Sequence, residues 1–166
     1  MPFGYPTSWS NVNNNFTIGQ QVELVLVAPD GTTLQNFGLL TEFQATAEVH
    51  LIEVHGINNG GYVARRNAQQ GWKGTFSFAR ANGLADFIQY QEELSFYGGN
   101  PQNFYSILET FQNPDLSLSV YQFLGVVISG FDAGTVRQNA EVPQRLEFAA
   151  AQRLQLQGPQ IALTNT

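Results

Sequence analysis

Thr41-Glu42-Phe43-Gln44-Ala45-Thr46-Ala47-Glu48-Val49-His50-Leu51 is the stretch that decides the fold. Glu42, Gln44, Thr46, Glu48 and His50 fall on one face, and Phe43, Ala45, Ala47, Val49 and Leu51 on the other. A two-residue period is that of a β-strand with one wet and one buried face, because successive side chains point to opposite sides of the pleat. After Leu51 the phase slips. Ile52 and Val54 are apolar while Glu53 and His55 are polar, which predicts a bulge or bend near 51–52.

Upstream, Gln21–Ala28 reads as a strand ended by the turn Pro29-Asp30-Gly31, and a second run follows from Thr33 to Leu40. Downstream, Gly56–Gln70 reads as a long polar connection with an Asn-Asn-Gly-Gly turn and one basic spot, Arg65-Arg66. Gly71–Arg80 is a strand with Trp72, Phe76 and Phe78 on one face. Gly74 on that face predicts close backbone approach.

The stretch Asn82–Tyr97 is the one convincing helix, with Asn82 as N-cap and Asp86 near the positive end of the helix dipole. Leu84, Phe87, Ile88 and Leu94, with Gln91, recur at helical spacing, and Gly98-Gly99 ends the helix. Three more strands follow: Asn103–Phe111, Leu116–Gly130 and Glu141–Gln155. The last is expected to carry Arg145, Glu147 and Arg153 on one side and Leu146, Phe148 and Leu154 on the other. The sum is mainly β with one helix, a small barrel or sandwich plugged by that helix. Residues 1–20 read as an arm, 21–157 as one β domain and 158–166 as a C-terminal tail.

Composition narrows the function. The chain has 166 residues, no Cys, two His and a net charge of −6. One domain of this size buries about two-thirds of its unfolded surface and needs no disulfide or metal staple. The lack of Cys excludes thiolate metal sites and cysteine nucleophiles. An acidic surface disfavours the phosphate contacts on which duplex DNA binding depends. No signal segment or membrane span is expected: residues 1–20 lack a basic start and an apolar stretch, and the longest apolar run, Phe123–Ile128, is too short. Asn15-Phe16-Thr17 fits a glycosylation acceptor but reads as a polar loop.

No catalytic, cofactor or metal site is expected. His50 and His55 have opposite strand parity. Glu92 and Glu93 are adjacent on a helix and do not face each other, so they read as a solvated face. Asn58-Asn59-Gly60-Gly61 lacks the Lys-Ser/Thr finish of a phosphate loop. Trp72, Phe76 and Phe78 at strand spacing read as core. Long strands with partly polar faces leave unpaired edges, which must be capped or paired between subunits.

The order of elements resembles a known family. Gly71-Trp72-Lys73-Gly74-Thr75-Phe76-Ser77-Phe78, the Leu84–Tyr97 helix with Gly98-Gly99-Asn100, Tyr121-Gln122-Phe123-Leu124-Gly125-Val126-Val127, Asp132-Ala133-Gly134 and Val142–Ala150 succeed one another as in tail tube proteins of contractile-tailed bacteriophages. That fold is shared with type VI secretion tube proteins. The resemblance covers about Gln21 to Arg153.

The resemblance implies a subunit that closes into hexameric rings, its strands joining those of neighbours into a continuous β-barrel, with rings stacked into a hollow tube. Such a tube guides the tape measure protein and then DNA, without specific binding, inside a contractile sheath. Baseplate and tail terminator proteins meet its ends. The implied location is the virion tail, assembled in the host bacterial cytoplasm. Glu42, Gln44, Thr46, Glu48 and His50 become candidates for the lumen lining; the alternative is a face in bulk solvent. Asn58, Asn59, Tyr62, Arg65 and Arg66 become candidates for ring-to-ring contact through the 56–70 loop. Three other readings stay open: a secretion or other injection-system tube, a small-molecule-binding β-barrel with a discrete apolar cavity, and a glycan-binding module that uses Trp72 or Trp9 as an exposed aromatic.

Overall fold

The computed structural model describes residues 22–34, 39–58 and 60–158. The expected N-terminal arm with Asn15-Phe16-Thr17, the tail beyond 158 and Asn59 lie outside them.

Among the described residues, eight strands and one helix follow in the order β1 (Val22–Val27), β2 (Thr33–Leu34), β3 (Leu39–His55), β4 (Val63–Ala79), α1 (Leu84–Tyr97), β5 (Tyr105–Gln112), β6 (Leu118–Asp132), β7 (Pro143–Ala150) and β8 (Gln152–Gln157). All pairings are antiparallel. The strand order is β2-β1-β5-β6-β7-β4-β3, with β8 continuing beside β6. The expected turn after β1 is present: Gly31 has φ +86, and the Thr32 N–H donates to Asp30 Oδ1 at 2.9 Å.

The sheet curls on itself without closing. Phe43 on β3 stacks on Phe148 of β7 with centroids 5.8 Å apart, and meets Phe123 of β6 at 6.2 Å. Phe76, Phe78, Phe123, Phe148, Leu26, Ile107 and Leu146 are fully covered between the two halves of the curl, and Ala85 and Ile88 of α1 plug it. Mainly β with one helix is therefore the observed class. The barrel of a single chain is open, because β2 and β3 at the two ends of the sheet do not pair with each other.

Four expectations need correction. The connection expected over 56–70 is short. β4 starts at Val63, and β3 and β4 form one antiparallel hairpin of two 17-residue strands, with Glu53 opposite Arg65 and Ile52 opposite Arg66. Arg65 and Arg66 thus sit on a strand, where their cross-strand neighbours hold them, and not in a loop.

The bulge expected near 51–52 is elsewhere. Register is regular from Val49 to His55 and shifts between Leu40 and Glu42 and between Ala47 and Val49. The second shift places Gln70 and Gly71, the latter at φ +95, against the single residue Glu48. The apolar phase change after Leu51 reflects a hairpin exposed on both faces.

The last expected strand is broken at Ala151, whose N–H donates to Leu124 O at 2.9 Å opposite Gly125 at φ +63. The break inverts the alternation. Arg145 and Glu147 stay outside, but Arg153 turns inward. There it pairs with buried Glu109, and its guanidinium lies 3.8 Å from the Tyr121 ring centroid and 5.2 Å from that of Trp72.

The helix is apolar on two sides. Leu84, Ala85 and Ile88 face the core, whereas Phe87 and Leu94 are exposed. Gly83, not Asn82, is the N-cap, although Asn82 Oδ1 still accepts the Leu84 N–H at 3.1 Å. The end is as expected: the Asn100 N–H donates to Ser95 O and the Gly99 N–H to Phe96 O, with Gly99 left-handed at φ +70.

Two stability outcomes follow. A side chain at Gly74 would meet the Phe148 ring at 2.6 Å and the Gln44 carbonyl oxygen, so G74V lowers unfolding free energy by at least about 1–3 kcal/mol in urea titration. R153M leaves the Glu109 carboxylate buried and unpaired and costs about 3–5 kcal/mol, while the double change E109L/R153M recovers most of the loss.

Candidate assembly surfaces

The polar face begins on β3 and continues across three more strands. Cross-strand register lines up Glu42, Ser77, Arg145 and Asp132 in one row, and Gln44, Thr75, Glu147 and Gly130 in the next. Thr46 and Lys73 begin a third row. Glu42, Gln44, Thr46 and His50 are exposed, and Glu48 is half-buried. Lys73 pairs with Glu48 at 3.0 Å and Arg145 with Glu147 at 3.3 Å, so both cations on this face are matched by carboxylates. Lys73, Thr75, Ser77, Arg145 and Glu147 extend the face beyond the five residues read from the sequence. The alternation of β4 and β7 was visible there, but only the pairing joins them to β3.

β3 ends the sheet, and its outer edge has no strand partner among the described residues. β7 covers β4 only from Trp72 to Ala79, so the hairpin from Val49 to Gln69 stands clear of the sheet body. It carries bare apolar side chains on both faces: Val49 and Leu51 on one, Ile52 and Val54 on the other, with Ile57 and Tyr62 near the tip. Ile57 is fully exposed. Arg65 pairs with Glu53 at 3.1 Å. Asn58 and Tyr62 lie in the short turn.

A second bare apolar surface lies on α1. Phe87, Tyr90, Leu94 and Tyr97 recur at spacings of three and four and are all exposed, opposite the core-facing Ala85 and Ile88. Glu92, read as solvated, is instead half-buried and pins the helix to β5: the Tyr105 hydroxyl donates to its Oε1 at 3.0 Å and Asn103 Nδ2 at 3.1 Å. Burial, with the Glu92 carboxylate second, pushes the Tyr105 phenol above its ordinary value and keeps it protonated.

A groove of about 390 Å³ separates β1 from β3. Leu24, Phe43, Trp72 and Phe111 line it together with the Glu109–Arg153 pair. No three His, Asp or Glu converge as a metal site among the described residues. No described helix is long and apolar enough to cross a membrane.

No family model and no curated protein matches this chain. Solved structures do. A chain of the anti-feeding prophage cap, described as a tube-terminating cap, superposes with a TM-score of 0.60 at 10% identity, over 93% of this chain and 100% of that one. A chain of the sheath–tube complex of the extracellular contractile injection system PVC, in its extended state, gives 0.58 at 10% identity, over 90% and 97%. A chain from the tail of an empty gene transfer agent particle, with C6 symmetry, gives 0.51 at 16% identity, over 82% and 96%. Nearly the whole of each compared chain is covered, so the likeness extends to the complete subunit fold. This chain has the fold shared by tube and tube-cap proteins of contractile injection systems.

Proposed function

We propose that this protein is the structural subunit of the inner tube of a contractile tail, closing into hexameric rings that stack into a hollow conduit. The observation that carries the proposal is β3, a 17-residue strand that ends the sheet, paired with β4 on one side and with no strand on its outer side among the described residues. A long bare edge is a template for pairing with another chain. Closing a ring of such subunits removes every free edge at once.

In this reading the polar face of β3, β4 and β7 lines the lumen. Its carboxylates and amides neither attract nor grip phosphates, so DNA and a tape measure protein pass through. The exposed hairpin carrying Asn58, Tyr62, Arg65 and Arg66 reaches the next ring. Burying each of its large apolar side chains would contribute about 1.5–3 kcal/mol before the costs of association. Sheath, baseplate and tail terminator proteins are the other partners, in a virion tail assembled in the host cytoplasm. The likeness to injection particles that are not described as virions supports a second reading, a tube of such a particle.

Negative-stain electron microscopy of the purified protein over rising concentration tests the proposal. Rings and hollow tubes are expected; monomers at every concentration would overturn it. The lumen assignment has its own test. Tubes of E42K/Q44K/T46K retain a labelled oligonucleotide at physiological salt while wild-type tubes do not, because the added Lys release phosphate counterions. Equal retention by both would refute the assignment.

A further inference from the structure

Resting on the tube reading, we propose that the outer face of α1 is the receptor for the hairpin tip of a second copy in the adjacent ring. Phe87, Tyr90, Leu94 and Tyr97 of one subunit would cover Ile57 and Tyr62 of the next. Both surfaces are bare. Tyr97 is 83% exposed and Tyr62 82%. Contiguous apolar patches of this kind mark interaction sites. A groove of about 420 Å³ beside the stripe is lined mostly by polar groups, among them Gln89, Glu93 and Gln102 with Tyr97, and gives the edge of the patch hydrogen-bonding and acidic partners for a polar or basic side chain.

Position selects a second copy as the occupant. The hairpin tip precedes β4, whose first residue is Val63, and α1 begins five residues after β4 ends at Ala79. A strand of this length spans about 50 Å at ~3.3 Å per residue. The helix starts at the far end, where Arg80 Nε lies 3.2 Å from Asp86 Oδ2, and runs back to Ile128 and Gly130 of β6, level with Gly74 and Thr75 of β4 and well short of the tip. Two different sticky surfaces set apart along one molecule make a head-to-tail contact, and a head-to-tail contact along an axis propagates without closing. A single self-complementary patch would instead stop at a dimer.

Charge agrees with this pairing. α1 holds Asp86, Glu92 and Glu93 and has no basic residue in its last turn. Glu93 has no ion-pair partner among the described residues, and neither does Arg66 on the hairpin. A cation near the carbonyl end of a helix is favoured by the helix dipole as well as by Glu93.

The absence of Cys makes a clean cross-linking test available. I57C and L94C are purified separately, mixed, assembled and treated with a short bis-maleimide. A cross-linked pair is expected in the mixture, in excess over either variant alone. Both sites are exposed, so neither change threatens the fold. L94E is expected to form rings but tubes about tenfold shorter, as for an interface hot spot. R66E should shorten tubes, and R66E/E93R should restore them. Full-length tubes from L94E with no mixed cross-link would overturn this inference and leave the tube reading standing. Wild-type protein that forms neither rings nor tubes would overturn the tube reading itself, and this inference with it.

Discussion

The outer edge of β3, unpaired among the described residues, is the constraint on which the rest of the structure depends. Backbone N–H and C=O groups demand partners, and a strand of 17 residues at a sheet edge displays a full row of them. Soluble monomers blunt such edges with bulges, Pro or inward-pointing charge. Here β3 has no Pro, and its irregularities fall at Leu40/Glu42 and Ala47/Val49, leaving the run from Glu42 to Ala47 regular. The opposite end of the sheet is a two-residue strand, β2, beside β1. One end of the sheet thus offers a long template while the other offers little, an asymmetry suited to joining unlike edges of neighbouring copies.

The interior explains how one chain holds such an edge in place. Phe43 fixes β3 to Phe76 of β4 at 4.9 Å, to Phe148 of β7 at 5.8 Å and to Phe123 of β6 at 6.2 Å, so the edge strand is anchored by one aromatic whose ring reaches three other strands. Gly74 lets the β3 backbone and the Phe148 ring approach β4 from both sides. Beyond Ala47 these anchors end, and the hairpin departs from the body where Gly71 takes its left-handed φ. The pair of buried Glu109 and half-buried Arg153, whose guanidinium lies among the Trp72, Tyr121 and Phe123 rings, ties β5 to β8. Such a pair contributes little net stability but penalises any register that separates its members.

Much of this was legible in the sequence. Alternation placed β1, the first half of β3, the second half of β4 and the single helix, and Gly98-Gly99 marked the helix end. What failed has a common physical cause. Period arguments assume one buried face, and three segments break that assumption. The distal hairpin is bare on both faces, so Ile52 and Val54 looked like a register slip. Polar Asn67, Gln69 and Gln70 looked like loop while sitting in a paired strand. α1 is apolar on two sides, so Phe87 and Leu94 fall in one helical-spacing series with Ile88 without sharing its buried face. At Ala151 a local break inverted the parity of Arg153, which no spacing announces. Glu42, Gln44 and Thr46 line up with Ser77, Thr75 and Lys73, but the continuation of those rows through Arg145 and Glu147 depends on pairings between distant strands.

Surfaces that defeat the one-face assumption are surfaces the isolated chain does not cover, which is what an assembly subunit presents. The most direct test of the central claim is amide hydrogen–deuterium exchange across Glu42–Glu48, compared between dilute protein and the assembled state. Half of these amides point away from β4. If β3 pairs with a neighbouring subunit, those amides exchange rapidly when dilute and become strongly protected on assembly. Unchanged exchange in assembled protein would contradict the account.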